Sequence, residues 1–263
     1  MDRQELVDLV HGSSVAMIVT GLVTFVACML ISAPYGRYTT SKGWGVQIPA
    51  KLAWILMESP NLWMPIVIYV YLSSQFIITL PSCILLCMFV SHYVNRTIIY
   101  PLRMPADCSE MPISVAWLAF TYCTWNSCTQ VLSLCVVTSY PQDWITDVRF
   151  LLGLAMFLTG MYMNISSDNA LLAIRLHKGK DGKKVYAIPR GGLFEYISCA
   201  NYGSEIFEWT GFAIACWSLP AAAFAFYTFC NIGPRGYRHH QWYIQKFRED
   251  YPKSRKAVIP FIW

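Results

Sequence analysis

Five stretches of this 263-residue chain contain no Asp, Glu, Lys or Arg: residues 9–36, 59–95, 111–142, 150–167 and 209–234. Together they make up more than half of the sequence, and all but one exceed the about 20 apolar residues that carry a helix across a bilayer. Composition points the same way. The chain is 56% hydrophobic, 15% aromatic and 13% charged, whereas soluble domains carry about 25% charged and about 45–50% apolar residues. These values exclude an ordinary water-soluble globule, and the low charge and many aromatics exclude intrinsic disorder.

With breaks at Ser73-Ser74-Gln75 and Ser218-Leu219-Pro220, the pattern predicts an all-α polytopic membrane protein. Seven helices are expected near 13–32, 53–72, 76–95, 112–137, 149–168, 202–217 and 219–233, with a cytoplasmic tail over 234–263. One pass through 202–233 would give six. Basic residues decide, because Lys and Arg accumulate on the cytoplasmic side. Seven helices with the N-terminus outside, or lumenal, place 18 of the 20 basic residues inside and leave only Arg3 and Arg149 outside. Six would move the seven basic residues of the tail to the wrong face. No linker, repeat or low-complexity segment divides the chain, so residues 1–263 are expected to form one domain.

Several features carry no separate function. The acidic start MDRQELVDLVHGSS lacks a basic n-region and a cleavage site, so the first run is expected to be retained. The +5 net charge follows mostly from topology and does not call for nucleic acid. Among ten cysteines there is no C-x-x-C pair, and most lie in apolar runs where free Cys packs as a small hydrophobe. His239-His240 has no partner at ligand spacing, so no metal is expected. The sequons at Asn95 and Asn164 fall at inside helix ends, away from glycosylation.

Ionisable groups inside membrane segments are costly and mark function by default. Here they gather at the inner helix ends. Glu58 follows Trp54 and precedes Pro60, while Tyr93, Arg96, Tyr100 and Arg103 share one stripe. Asn164 and Asp168 lie one turn apart with Arg175 two turns on. Asn201, Glu205 and Glu208 repeat the spacing, as do Arg235, His239 and Tyr243. Taken singly, an Arg or Tyr here is a snorkelling helix end. Carboxylates gain nothing from lipid, so Glu58, Glu205 and Glu208 point instead to a polar cavity open to the cytoplasm.

Guanidinium forks from Arg96, Arg103, Arg175, Arg190 and Arg235 suit phosphate oxygens. Aromatic faces from Trp54, Tyr93, Tyr186 and Tyr243 suit flat rings, and Asn164, Asp168 and Asn201 suit amide or ribose groups. The set fits a nucleotide beside an apolar pocket for a lipid-soluble substrate. Neither G-x-G-x-x-G nor a Walker motif is present, which argues against a Rossmann site. Residue chemistry alone leaves open a membrane enzyme, a transporter or lipid-binding protein, and a lipid methyltransferase.

Six segments narrow this choice: Ala33-Pro34-Tyr35-Gly36-Arg37, Met57-Glu58-Ser59-Pro60, His92-Tyr93-Val94-Asn95-Arg96-Thr97, Asn164-Ile165-Ser166-Ser167-Asp168, residues 188–209 and residues 249–263. They resemble the steroid 5α-reductase family, both its animal enzymes and its plant brassinosteroid-pathway member, from about residue 33 onward. The resemblance implies a seven-helix membrane enzyme that uses NADPH to reduce the Δ4 double bond of 3-oxo steroids, with hydride to C5 and a proton to C4. It implies that Tyr93 and its carboxyl partner Glu58 polarise the 3-keto oxygen. For the cofactor it implies Trp54, Arg96, Tyr100, Arg103, Asn164, Asp168, Arg175, Tyr186, Asn201, Glu205, Arg235, His239 and Tyr243. Asn201 and Glu205 are expected nearest the nicotinamide, and Arg103, Arg175 and Arg235 at the phosphates. Ala187 departs from members with a basic residue there. The expected partners are the steroid and membrane lipids, without nucleic acid or metal, and the expected state is a monomer. The expected location is the endoplasmic reticulum, or the inner membrane in a bacterium. A related reductase of another lipid enone or enoyl-CoA is the alternative.

Overall fold

The computed structural model describes residues 2–32, 34, 36–38 (backbone only at Arg37), 43–105, 108–176 and 186–263. Ala33 and Tyr35 of the first family-like segment, and Lys42, Lys178, Lys180, Lys183 and Lys184, expected on the cytoplasmic side, lie outside the described residues. The chain forms α1 (Arg3–Leu30), α2 (Ala50–Glu58), α3 (Pro60–Ser73), α4 (Leu80–Val94), α5 (Tyr100–Arg103), α6 (Ile113–Leu132), α7 (Val148–Leu176), α8 (Ala200–Cys216) and α9 (Leu219–Phe247). Wider π turns extend α4 over Asn95–Ile99 and α6 over Ser133–Val137. A two-residue antiparallel pair, β1 (Gln47–Ile48) with β2 (Met111–Pro112), ties the start of α2 to the start of α6.

Each expected helix has a counterpart, and the boundaries differ for physical reasons. α1 begins at Arg3 and not at 13, because Asp2 and Glu5 form a reciprocal capping box, 2.8 Å each way. The second span divides at Ser59. Pro60 has no N–H to offer the Leu56 carbonyl, and Ser59 Oγ donates to that carbonyl at 2.9 Å instead. This places Glu58 at the break. α9 runs on to Phe247 and does not stop at 233, since its polar second half lines a cavity and does not enter lipid.

Three packing pairs organise the bundle. α7 and α8 run antiparallel at very close approach: a Cβ on Gly160 would lie 2.6 Å from Glu208 Cα, and one on Gly211 would lie 2.6 Å from Phe157 N. Small residues bring helices together where lipid leaves no hydrophobic drive between them. α1 runs parallel to α9, with Gly21 against Phe226 and Phe25 stacked on Phe229 at 6.2 Å. The α2–α3 span runs parallel to α6, through Ala53, Met57 and Ala116. α4 is the most enclosed of the long apolar helices, and its Leu85 and Phe89 are fully buried.

Among the described residues, four helical spans are long and apolar enough to cross a membrane: Arg3–Leu30, Ala50–Ser73, Leu80–Arg103 and Val148–Leu176. Of the other three helices, α8 has 17 residues, α6 carries Asn126, Ser127, Thr129 and Gln130, and the apolar half of α9 ends before Arg235. Val19, Val23, Ile66, Val70, Trp117 and Leu151 face outward, while Ser14, Asn126, Ser127 and Gln130 are buried. That inversion of the rule for water-soluble proteins is what lipid as solvent requires.

Candidate active site

A cavity of about 800 Å³ opens where the C-terminal ends of α1, α4 and α7 meet the N-terminal ends of α2, α6 and α8 and the middle of α9. This is the upper part of the range for small-molecule sites. Its walls differ in chemistry. One side carries Arg96, Asp168, Arg175, Asn201, Glu205 and Arg235, and the other carries Leu118, Tyr122, Trp125, Phe224 and Tyr227. Tyr122 and Tyr227 stack at 3.9 Å.

The polar side is built around Arg96, in the π turn that follows α4. Its Nη1 lies 2.9 Å from Asp168 Oδ2 on α7, and its Nη2 lies 3.8 Å from Glu205 Oε2 on α8. The guanidinium carbon sits 4.6 Å from the centre of the Trp54 ring and 5.1 Å from that of Tyr100. Two rings and two carboxylates therefore surround one buried cation. A fork of this shape suits such a site in a way that a Lys ammonium does not. Asn164 Nδ2 donates to the Asn201 carbonyl at 2.8 Å and lies 3.5 Å from Glu205 Oε2. Arg175 and Tyr100 line the same side of the cavity. Further along α9 the His239 ring stacks on Tyr38 at 5.3 Å, and Tyr243 stacks on Tyr251 at 5.6 Å.

Glu58 and Tyr93 stand where the two sides meet. Cys123 Sγ lies 3.7 Å from Glu58 Oε2. Tyr93 is buried and packs against Phe89 at 4.8 Å and His92 at 5.2 Å. No described residue hydrogen-bonds its hydroxyl, and its side chain lines the cavity. An uncommitted phenol beside a carboxyl group can donate to an acceptor entering from the cavity.

Both candidate catalytic residues line the cavity, as do eleven of the thirteen cofactor candidates. Asn164 sits one layer behind, holding Asn201 and Glu205. Arg103 is exposed on α5 and does not line the cavity. Residue spacing alone did not single out His92, Cys123, Tyr122, Trp209 or Tyr227. The Glu208 carboxylate, which sequence had marked as anomalous in lipid, was the available signal for its partner His92.

The C-terminal segment closes the same end of the bundle. Ser198 N donates to the Lys256 carbonyl at 2.8 Å and Cys199 N to the Ala257 carbonyl at 3.0 Å. The Ser198 hydroxyl bonds both His240 and Tyr251. Arg255, buried, donates to the Pro189 carbonyl at 2.9 Å and lies 3.6 Å from Glu195. A Cβ at Gly203 or Gly236 would strike Val258. The clasp thereby fixes Ser198, Cys199 and Asn201, which form cavity wall. Burial pushes the Tyr251 phenol up, and burial with nearby Lys256 holds the His240 imidazole below its ordinary value.

Comparison with known proteins decides the class. The family model "3-oxo-5-alpha-steroid 4-dehydrogenase" matches residues 109–263. The human "3-oxo-5-alpha-steroid 4-dehydrogenase 1" is 44% identical over 245 residues, covering 92% of this chain and 91% of that protein. The chain belongs to the 3-oxo-5-alpha-steroid 4-dehydrogenase family. A Macaca fascicularis protein of the same name is 45% identical over 87% of this chain and 84% of its own length. The plant branch is represented by "Steroid 5-alpha-reductase DET2" of Arabidopsis thaliana, 40% identical over 94% of both chains. The family-model match starts after Glu58, Tyr93 and Arg96. The matches to these steroid dehydrogenases and reductases, which span nearly the whole chain, extend the similarity over that first half.

Proposed function

We propose that the protein reduces the Δ4 double bond of 3-oxo steroids with NADPH, from a cavity that faces the cytoplasm. The observation that carries this reading is the meeting of a polar, guanidinium-lined wall and an aromatic wall at Glu58 and Tyr93, in a chain of the steroid dehydrogenase family. The donor set fits the cofactor. Arg175 and Arg235 offer forks for phosphate, and Trp54, Tyr186, His239 and Tyr243 offer rings for stacking. Arg96 is already paired with Asp168 and Glu205, so its part is to hold the wall to which a nicotinamide binds. Bound NADPH supplies the hydride.

Reduction of an enone places negative charge on the carbonyl oxygen as hydride reaches C5. The Tyr93 hydroxyl and a protonated Glu58 carboxyl donate to that oxygen and lower the barrier where charge develops. Tyr122, Trp125, Phe224 and Tyr227 bury the apolar ring system and exclude water from the reacting carbons. Asn201 and Glu205, anchored by Asn164, orient the carboxamide of the cofactor.

The helix directions support seven passes, and the gathering of basic residues on one side supports a lumenal N-terminus and a cytoplasmic C-terminus. The first and last helices run parallel, the second and fourth run parallel, and the fifth and sixth run antiparallel, as alternate crossings require. In a eukaryotic cell the reading places the protein in the endoplasmic reticulum, as a monomer. The experiment is direct. Purified protein in nanodiscs is titrated with NADPH and NADH, and oxidation is followed with testosterone, progesterone and a plant sterol enone. NADPH oxidation dependent on the enone is expected, and binding of S-adenosylmethionine without NADPH would move the chain to another class.

A further inference from the structure

His92 lies at the end of α4 and lines the cavity beside Tyr93. Its Nδ1 is 2.8 Å from Glu208 Oε1. Glu208 is fully buried, and among the described residues its other carboxyl oxygen has no hydrogen-bond partner. The imidazole packs 4.6 Å from Trp209 and 5.2 Å from Tyr93, which fixes the plane of the ring. With Nδ1 engaged, Nε2 is the nitrogen on the far edge, and no described residue hydrogen-bonds it. A buried carboxylate that orients an imidazole so that its second nitrogen meets a reactant is a recurrent catalytic arrangement. A merely structural link between α4 and α8 does not need it, since an apolar pair joins helices without burying charge.

The inference rests on the reductase reading given above. That reaction adds two hydrogens, and only one comes as hydride. When the C5–H bond forms, the electron pair of the double bond moves into the C3–C4 bond, and the carbonyl pair moves to O3. An enolate results, with its oxygen held by Tyr93 and Glu58. C4 then still lacks a proton, and C4 is two bonds from the oxygen at Tyr93, whose ring adjoins that of His92.

We propose that His92, oriented by Glu208, is the acid that delivers the proton to C4. The Nε2–H bond breaks, the proton joins C4 through the electron pair of the enolate, and the C3=O double bond re-forms. The imidazole becomes neutral beside the Glu208 carboxylate. It regains a proton from water entering the cavity as product leaves, so one proton from solution is consumed for each hydride.

The test compares wild type, His92→Gln, Glu208→Gln and Glu58→Gln in nanodiscs, turning over testosterone and NADPH in D2O. Deuterium at C4 of the product is located by NMR, and steroid affinity in the presence of NADP+ is measured separately. Wild type is expected to place deuterium on one face of C4. His92→Gln is expected to bind steroid as wild type does, to lose about 10²–10⁴-fold in kcat, the range for general acid catalysis, and to scatter deuterium over both faces. Glu208→Gln, which keeps the contact but removes the counter-charge, is expected to lower kcat with KM unchanged. It carries the test if His92→Gln does not fold. Single-faced deuteration with kcat near wild type in His92→Gln, or an unaltered kcat in Glu208→Gln, overturns the proposal. Scattered deuterium in Glu58→Gln alone moves the role to Glu58. A wild-type protein that leaves the enone unreduced overturns the reductase reading itself, whereas normal wild-type turnover with an unaffected His92→Gln overturns only this role.

Discussion

Arg96 on the turn after α4 and Asp168 on α7 are joined at 2.9 Å in the wall of the cavity, and the guanidinium is flanked by Trp54 and Tyr100. This one cation links α7 and α8 to the turn that follows α4. Breaking a buried pair by removing one partner costs about 3–5 kcal/mol, because it leaves an uncompensated charge. Asp168→Ala is therefore expected to lower the thermal midpoint and weaken NADPH binding together. Arg96→Lys keeps the charge but loses the fork and the stacking, and a loss of affinity is expected there too. Nucleotide titration of both variants checks this, and wild-type affinity in both would remove Arg96 from the framework of the cofactor wall.

Glu58 and Tyr93 are expected to matter for turnover far more than for binding. On the proposed roles, Glu58→Ala and Tyr93→Phe each remove one donor to the substrate oxygen, and a loss of about 10²–10³-fold in kcat is expected. Steady-state kinetics with a 3-oxo-Δ4 steroid read the effect, while NADPH affinity should hold. Full activity in both variants strips these residues of their roles.

The contact between α7 and α8 is close enough that a single methyl group reads it out. At Gly160 an added Cβ falls 2.6 Å from the Glu208 backbone, and overpacking of this kind costs about 1–3 kcal/mol. Gly160→Ala is expected to lower the thermal midpoint and, by displacing Glu208 from His92, to reduce kcat. Gly12→Ala, where nothing lies within 4 Å, is the matched control.

Acid should loosen the C-terminal clasp. His240 sits below its ordinary 6.5 in the fold, facing Ser198, Tyr251 and Lys256. The unfolded chain therefore binds that proton more readily than the folded one, so stability is full above about pH 6.5 and falls as pH drops toward the folded value. Melting wild type and His240→Gln between about pH 7.5 and about pH 5.5 should show a decline in wild type that the variant lacks.

The bundle was legible because lipid makes a strict demand: uncharged runs near 20 residues must become helices. The gap between Arg37 and Glu58 was blurred by Lys42 and Lys51, and the division at Ser59 depends on Pro60 and a serine hydroxyl that hydropathy does not register. The extension of α9 escaped for a related reason. Arg235, His239 and Tyr243 mark an end of apolar sequence, yet they continue the helix because a cavity, and not lipid, receives them. Helical spacing showed that Arg96, Asp168 and Glu205 occupy polar faces, but their pairing joins residues 72 and more positions apart, which no local pattern encodes. His92 illustrates the same limit. A histidine next to Tyr93 reads as a bland neighbour until the fold sets Glu208 against it.

The most direct measurement is the fate of hydride. Purified protein is supplied with NADPH carrying deuterium at the transferable position of nicotinamide C4, together with testosterone, and the product is examined by mass spectrometry and NMR. One deuterium at C5 in the 5α configuration is expected, with its rate cut in Glu58→Ala and Tyr93→Phe. Product without deuterium at C5, or NADPH consumption that does not depend on the enone, would contradict the assignment of this cavity to steroid Δ4 reduction.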